Sequence, residues 1–183
     1  ASQEKVIDDY VQIAKEEGLD AITIRKVASK LGSSIAPIYV NFKNVEELIE
    51  AVVRRAEEVA KQLVLEQNSG HPFRDFGIGG IKFARDYSIL YRDLILKNNP
   101  YVQHNDEKFT FAIQQMKQDP YLQGFSDEEL KDIILKMDIF HTGLMVQVAN
   151  EILPKDFTEE QLIEILDRVA EDIVIAAKVR KEG

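Results

Sequence analysis

The chain has 183 residues, 45% of them apolar and 30% charged, which suits a soluble globular fold and excludes a disordered one. It has no cysteine, so disulfides and thiolate metal sites are excluded and a reducing cytosol fits. The net charge of −9 speaks against nucleic-acid binding by the molecule as a whole, and no apolar run approaches the roughly 20 residues of a membrane span.

The chain opens on Ala1 without methionine and without a basic-then-apolar leader, and a few native residues are expected ahead of it. Val6, Ile7, Tyr10, Val11, Ile13 and Ala14 repeat with a helical period, and Gly18 is a natural stop. Thr23 can cap a short second helix carrying Ile24, Val27, Ala28 and Leu31. With Ser34 as cap, a third begins in "IAPIYVNF" (35–42), whose first turn holds Ile35, Ala36 and Pro37. Proline is tolerated there because the first N–H groups of a helix have no partner within it, although a distorted or partly 3₁₀ turn is expected.

Asn44 and Glu47 form an N-cap signature for a long helix through Val64, ending before "NSGHP" (68–72). Phe83, Ala84, Tyr87, Leu90, Tyr91, Leu94 and Ile95 predict another long helix, closed by "NNP" (98–100). The glycines of "GIGG" (77–80) mark a helix break, close helix packing or a flexible cavity entrance; neither a strand before them nor a Gly-Lys-Ser after them supports a phosphate loop. A shorter helix covers about 106–118. Ser126 with Glu129 and Thr158 with Gln161 are capping boxes for helices running to Ile152 and to about Arg180. No strand and no repeat is found, so the expected architecture is all-α.

Within the first third, Ala28, Gly32 and Ile38 have the spacing of a helix-turn-helix. A small residue lets two helices cross, a glycine takes the positive φ of the turn, and an apolar residue anchors the second helix. Residues 21–45 carry Arg25, Lys26, Lys30 and Lys43 and no acid, a basic patch on an acidic body.

Residues 5–53 resemble the N-terminal domain of TetR-family transcriptional regulators through "GLDAITIRKVASKLGSSIAPIYVNFKNVEELIEAVV". The resemblance covers roughly a quarter of the chain and rests on Gly18, a Thr-x-Arg-x-x-Ala segment, Gly32, Ile38–Tyr39, Phe42 and "KNVEEL". It implies a helix-turn-helix DNA-binding domain at 1–45 and a helical ligand-binding and dimerisation domain at 46–183, in a bacterial cytosolic homodimer. A repressor released from a palindromic double-stranded DNA operator by an unknown small molecule is the expected function.

Carried onto this chain, the resemblance makes Thr23 and Arg25 phosphate contacts. Ser33 and Ser34 start the recognition helix, Ile35, Ala36, Pro37, Tyr39 and Asn41 face the groove, and Lys43 holds a further phosphate. Three departures stand out: Ser33 where many members have an apolar residue, Asn41 in place of a common histidine or tyrosine, and Val45 where a lysine is frequent. The apolar "IAP" (35–37) and the missing lysine at position 45 leave open the alternative of a helical small-molecule-binding or interaction protein whose head no longer reads DNA specifically.

Polar groups among apolar neighbours suggest a ligand pocket from Phe83, Tyr87, Tyr91, Met137, Asp138, His141, Thr142 and Met145. The broad apolar faces of the last two helices serve as core or as a dimer seam, with Phe140, Leu144, Val148, Leu162, Ile165, Leu166, Val169 and Ile173 as the seam candidates. His71, His104 and His141 lack metal-site spacing, and the pair Asp138 and His141 falls short of a site. No nucleophile setting is recognisable, so neither an enzyme nor a cofactor is expected.

Overall fold

The computed structural model describes residues 2–23, 26, 29, 32, 36–102 and 106–183, and all regular structure among them is helical, as expected. The described α-helices are α1 (Gln3–Glu17), α2 (Ala36–Asn41), α3 (Val45–Gln67), α4 (Pro72–Asp86), α5 (Ser88–Tyr91), α6 (Asp106–Met116), α7 (Asp127–Ala149) and α8 (Glu159–Glu182). Among the described residues, no helix is long and apolar enough to cross a membrane. Contacts divide the chain into two compact units, residues 1–62 with 86–103 and residues 63–85 with 104–183. This line differs from the functional division expected at residue 45.

In the first unit, Ser2 caps α1 by accepting from Lys5 N, and Val6, Tyr10, Ile13 and Ala14 are buried along one face. At φ +90° Gly18 ends the helix, donating its N–H to Ala14 O at 2.9 Å. A 3₁₀ turn, Leu19–Ala21, follows. The N-cap signature of α3 forms as expected, with Asn44 Oδ1 accepting from Glu47 N at 2.8 Å. Leu48, Val52, Val53 and Ala56 bury the inner face of α3, and Leu90, Tyr91 and Leu94 add to the same unit's core.

The helix expected to run unbroken from Phe83 to Ile95 is broken. Residues 72–86 form α4, Tyr87 leaves helical geometry at φ −121° and ψ 41°, and α5 lasts a single turn. A π-turn, Arg92–Leu96, ends the segment, with Lys97 N donating to Arg92 O at 3.2 Å. Apolar spacing hides such a break, because one extra residue in a turn rotates the following stripe without erasing it.

The second unit is built around α4, and of the roles open to its glycines the packing one applies. A Cβ on Gly77 would stand 2.3 Å from Leu166 of α8, one on Gly79 2.7 Å from the Val64 backbone, and one on Gly80 2.3 Å from the His141 ring. Three neighbours thus approach one short stretch of helix closely. Ile78, Ile81, Met137, Leu144, Leu162 and Leu166 form the core around it. Both capping boxes form, Ser126 with Glu129 and Thr158 with Gln161. The first of the two helices, α7, stops three residues before its expected end, where Glu151 takes φ +53°.

Candidate nucleic-acid interface and its support

The candidate interface begins at Thr23, which is exposed and whose Oγ1 accepts from Lys26 N at 3.3 Å, the cap that the sequence predicts. Lys26 and Ser29 have helical backbone, and Lys26 forms an ion pair with Glu17. Gly32 sits in a turn at φ +58°, the left-handed conformation expected of the turn glycine. Arg25, Ser33, Ser34 and Ile35 lie outside the described residues, as does Ala28.

Helix α2 spans Ala36–Asn41 among the described residues, with Pro37 near its described start, and Ile35, where the sequence begins it, lies outside them. Tyr39 is 58% exposed and Val40 83% exposed, while Asn41 is partly buried. The side chain of Lys43 is exposed, and its backbone N–H donates to Glu47 Oε2 at 2.7 Å. Because Glu47 is itself held by Asn44, the start of α3 fixes the backbone from which Lys43 projects.

At the end of α1 stands a group that the sequence did not single out. Asp93, 6% exposed, accepts from Leu19 N through Oδ2 at 2.7 Å and pairs through Oδ1 with Lys97 Nζ at 2.6 Å. The hydrogen bond to Asp93 raises the pKa of Lys97 above its ordinary value. The i,i+4 spacing of Asp93 and Lys97 was a readable signal for the pair, though not for the bond to Leu19. Asp93 and Lys97 also line an open cleft of about 310 Å³ with Leu19, Ile22, Ile49 and Tyr101. None of the expected ligand-pocket residues lines that cleft.

Those expected pocket residues fall in both units. Tyr87 and Tyr91 belong to the first, where Lys15 Nζ lies 4.5 Å from the Tyr87 ring centroid and Tyr91 is buried. Phe83, Met137, Asp138, His141, Thr142 and Met145 belong to the second. There Phe83 and Met137 are buried, Asp138 is exposed, and Thr142 and Met145 are partly buried. The His141 ring faces Gly80, and its Nε2–H donates to Gly77 O at 2.9 Å. Burial holds the His141 pKa below its ordinary value, against the opposing pull of the Gly77 carbonyl and of Asp138.

The seam candidates divide as well. Leu144, Leu162 and Leu166 are taken up in the core of their own unit, and Phe140, Val148, Val169 and Ile173 pack against that core. Ile165 is partly buried. The large apolar residues facing outward on α7 and α8 are others: Leu135, Ile139, Ile175 and Val179.

Two buried acids also escaped the sequence reading. Asp119, 1% exposed, accepts from Phe73 N at 3.0 Å and from Tyr121 N at 2.9 Å, so one carboxylate serves two turns. Asp75 accepts from Ser69 Oγ at 2.5 Å. The Asp-Pro dipeptide at 119–120 was a legible turn signal for the first.

No family model matches the chain. Over 74 residues it is 30% identical to "Uncharacterized HTH-type transcriptional regulator YvkB" of Bacillus subtilis (strain 168). The match spans 40% of this chain and 39% of that protein, so it joins the two over well under half of either. A distant relative of the chain is therefore a helix-turn-helix transcriptional regulator.

Proposed function

We propose that the chain is a DNA-binding transcriptional regulator of the TetR type. It acts in the bacterial cytosol as a repressor, binds a palindromic operator as a homodimer, and is released by a small-molecule ligand. The observation that carries this reading is the spacing of Ala28, Gly32 and Ile38, with Gly32 at φ +58° and with Tyr39 and Lys43 exposed beyond it. The similarity to a regulator over 74 residues also supports it. No turnover and no cofactor belong to it.

Arg25 and Lys43 neutralise phosphates and set the register on the duplex. Ile35 and Ala36 meet thymine methyl groups, while Ser34, Tyr39 and Asn41 supply the polar contacts. Two copies pair through the outward rows on α7 and α8, and a ligand reaches the polar group around His141. A genomic-fragment selection with the purified protein tests the reading. An enriched palindrome is expected, bound less tightly as salt rises. Lys43→Ala reduces the slope of log affinity against log salt by about 1, and Tyr39→Ala loses most of the affinity. A dimer that binds small molecules but no duplex at low salt would replace this reading with that of a ligand-binding protein without DNA recognition.

A further inference from the structure

Residues 86–103 belong to the same compact unit as the N-terminal head, while the chain on either side of them, 63–85 and 104–183, belongs to the other unit. Within the first unit, the attachment of this segment to the end of α1 is unusually specific. Asp93 accepts from Leu19 N at 2.7 Å. Gly18 admits the carboxylate, because a Cβ there would stand 2.8 Å from Asp93 Oδ2. Lys97 neutralises the other oxygen at 2.6 Å and lies 3.6 Å from Asp20 as well. Asn99 Nδ2 donates to the Asp93 carbonyl at 3.4 Å, tying the following turn to the same residue.

Burying a carboxylate costs free energy, and an apolar side chain would fill the space with less penalty. What a carboxylate adds is direction: it holds one amide at one distance. Leu19 opens the turn that leads to Thr23, the cap of the segment where the DNA-contacting residues begin.

We propose that Asp93 is a positioning residue for DNA reading, its bond to the Leu19 amide setting the angle at which the chain leaves α1 for the helix-turn-helix. This rests on the DNA-binding reading above. Asp93 touches no DNA itself and acts through Leu19. Its effect therefore falls on discrimination between sequences more than on the attraction to phosphates, which Lys43 and its neighbours supply wherever the head is aimed.

The test compares the full-length chain with Asp93→Asn, which keeps an acceptor for Leu19, and Asp93→Leu, which removes it. Two readouts are needed. One is affinity for the duplex that the wild type enriches from random-sequence DNA, set against a scrambled duplex. The other is amide hydrogen exchange at Leu19 and across α2, with α4 and α7 as internal controls of folding. Asp93→Leu is expected to speed exchange at Leu19 and in α2, leave α4 and α7 unchanged, and lower the ratio of specific to scrambled affinity at least tenfold. Asp93→Asn is expected to stay within about threefold of wild type. If Asp93→Leu does not fold, Asp93→Ser carries the same comparison, its hydroxyl being too short to reach the amide and open to water in the cleft.

Unchanged specificity in a variant whose Leu19 exchange has risen would overturn the positioning role alone. So would unchanged Leu19 exchange, or a loss shared equally by specific and scrambled DNA. If the wild type enriches no duplex, the DNA-binding reading falls and takes this role with it, so the two failures are distinguishable.

Discussion

Tyr10 is fully buried in α1, and its hydroxyl has no hydrogen-bond partner among the described residues. Burial raises its pKa well above the ordinary phenol value, so the group stays neutral at every physiological pH. An unpaired buried hydroxyl costs more than it returns, so Tyr10→Phe should leave stability unchanged or raise it by up to about 1 kcal/mol. Urea unfolding checks this, and a clear loss would mean that the hydroxyl has a partner such as ordered water. Glycines of the second unit give an opposite pair of outcomes. On Gly79 a methyl meets the Val64 backbone at 2.7 Å, so Gly79→Ala should cost about 1–3 kcal/mol. On Gly143, exposed within α7, a methyl meets nothing within 4 Å, and Gly143→Ala should stabilise by up to about 1 kcal/mol. Equal effects at the two positions would contradict the packing of α4 described above.

At the scale of elements, α4 and α7 are joined by a titratable contact. Nε2–H of His141 donates to Gly77 O, and burial holds the ring's pKa below its ordinary value. The folded-state pKa therefore lies below the unfolded one, and the unfolded chain binds more protons through that window. The contribution of the contact is complete above about pH 6.5, the ordinary histidine value, and is lost as the pH falls through the folded pKa. Denaturant midpoints between pH 7.5 and 5 should fall for the wild type and flatten for His141→Gln. A variant with the same slope as wild type would assign the pH dependence to other groups. Helix ends were the most legible elements, because side-chain caps use local residue types: Thr23, Asn44, Ser126 and Thr158 all cap as their spacing implied. The break at Tyr87 was illegible, since Phe83, Tyr87, Leu90 and Leu94 keep a helical spacing across it. Nor could spacing separate outward-facing from inward-facing apolar residues. Leu144 and Ile139 are both apolar residues of α7, and only the packing of α4 against that helix puts one inward and leaves the other 67% exposed.

For the whole molecule, the outward rows on α7 and α8 make the assembly state testable. Leu135 and Ile139 stand one turn apart on one helix, Ile175 and Val179 one turn apart on the other. If they bury each other in a pair of chains, Ile139→Asp combined with Ile175→Asp should give monomers by analytical ultracentrifugation while the helical circular dichroism remains. An unchanged mass would place the pairing surface elsewhere. The candidate DNA surface was legible at this scale because the basic stretch 21–45 stands out from an acidic chain, and because its glycine and anchor spacing is local. Asp93 was not, since its partner amide lies 74 residues away in the chain and an acid at such a position reads as solvated surface.

The path of the chain bears on how this protein could be taken apart. The core that supports the head draws on Leu90, Tyr91 and Leu94 as well as on the first 62 residues, so the head is not one contiguous stretch of sequence. A cut after α3 would release a fragment lacking the side chains that finish its own interior. Such a fragment should be a poor module for transplantation onto another protein, and a graft that retained residues 86–103 should fare better. For the same reason, a hybrid made by exchanging everything beyond α3 would inherit the other protein's version of Asp93 and Lys97 against its own Gly18 and Leu19. Compatibility at that handful of residues, more than the match of the two halves elsewhere, would decide whether the hybrid still folds its head.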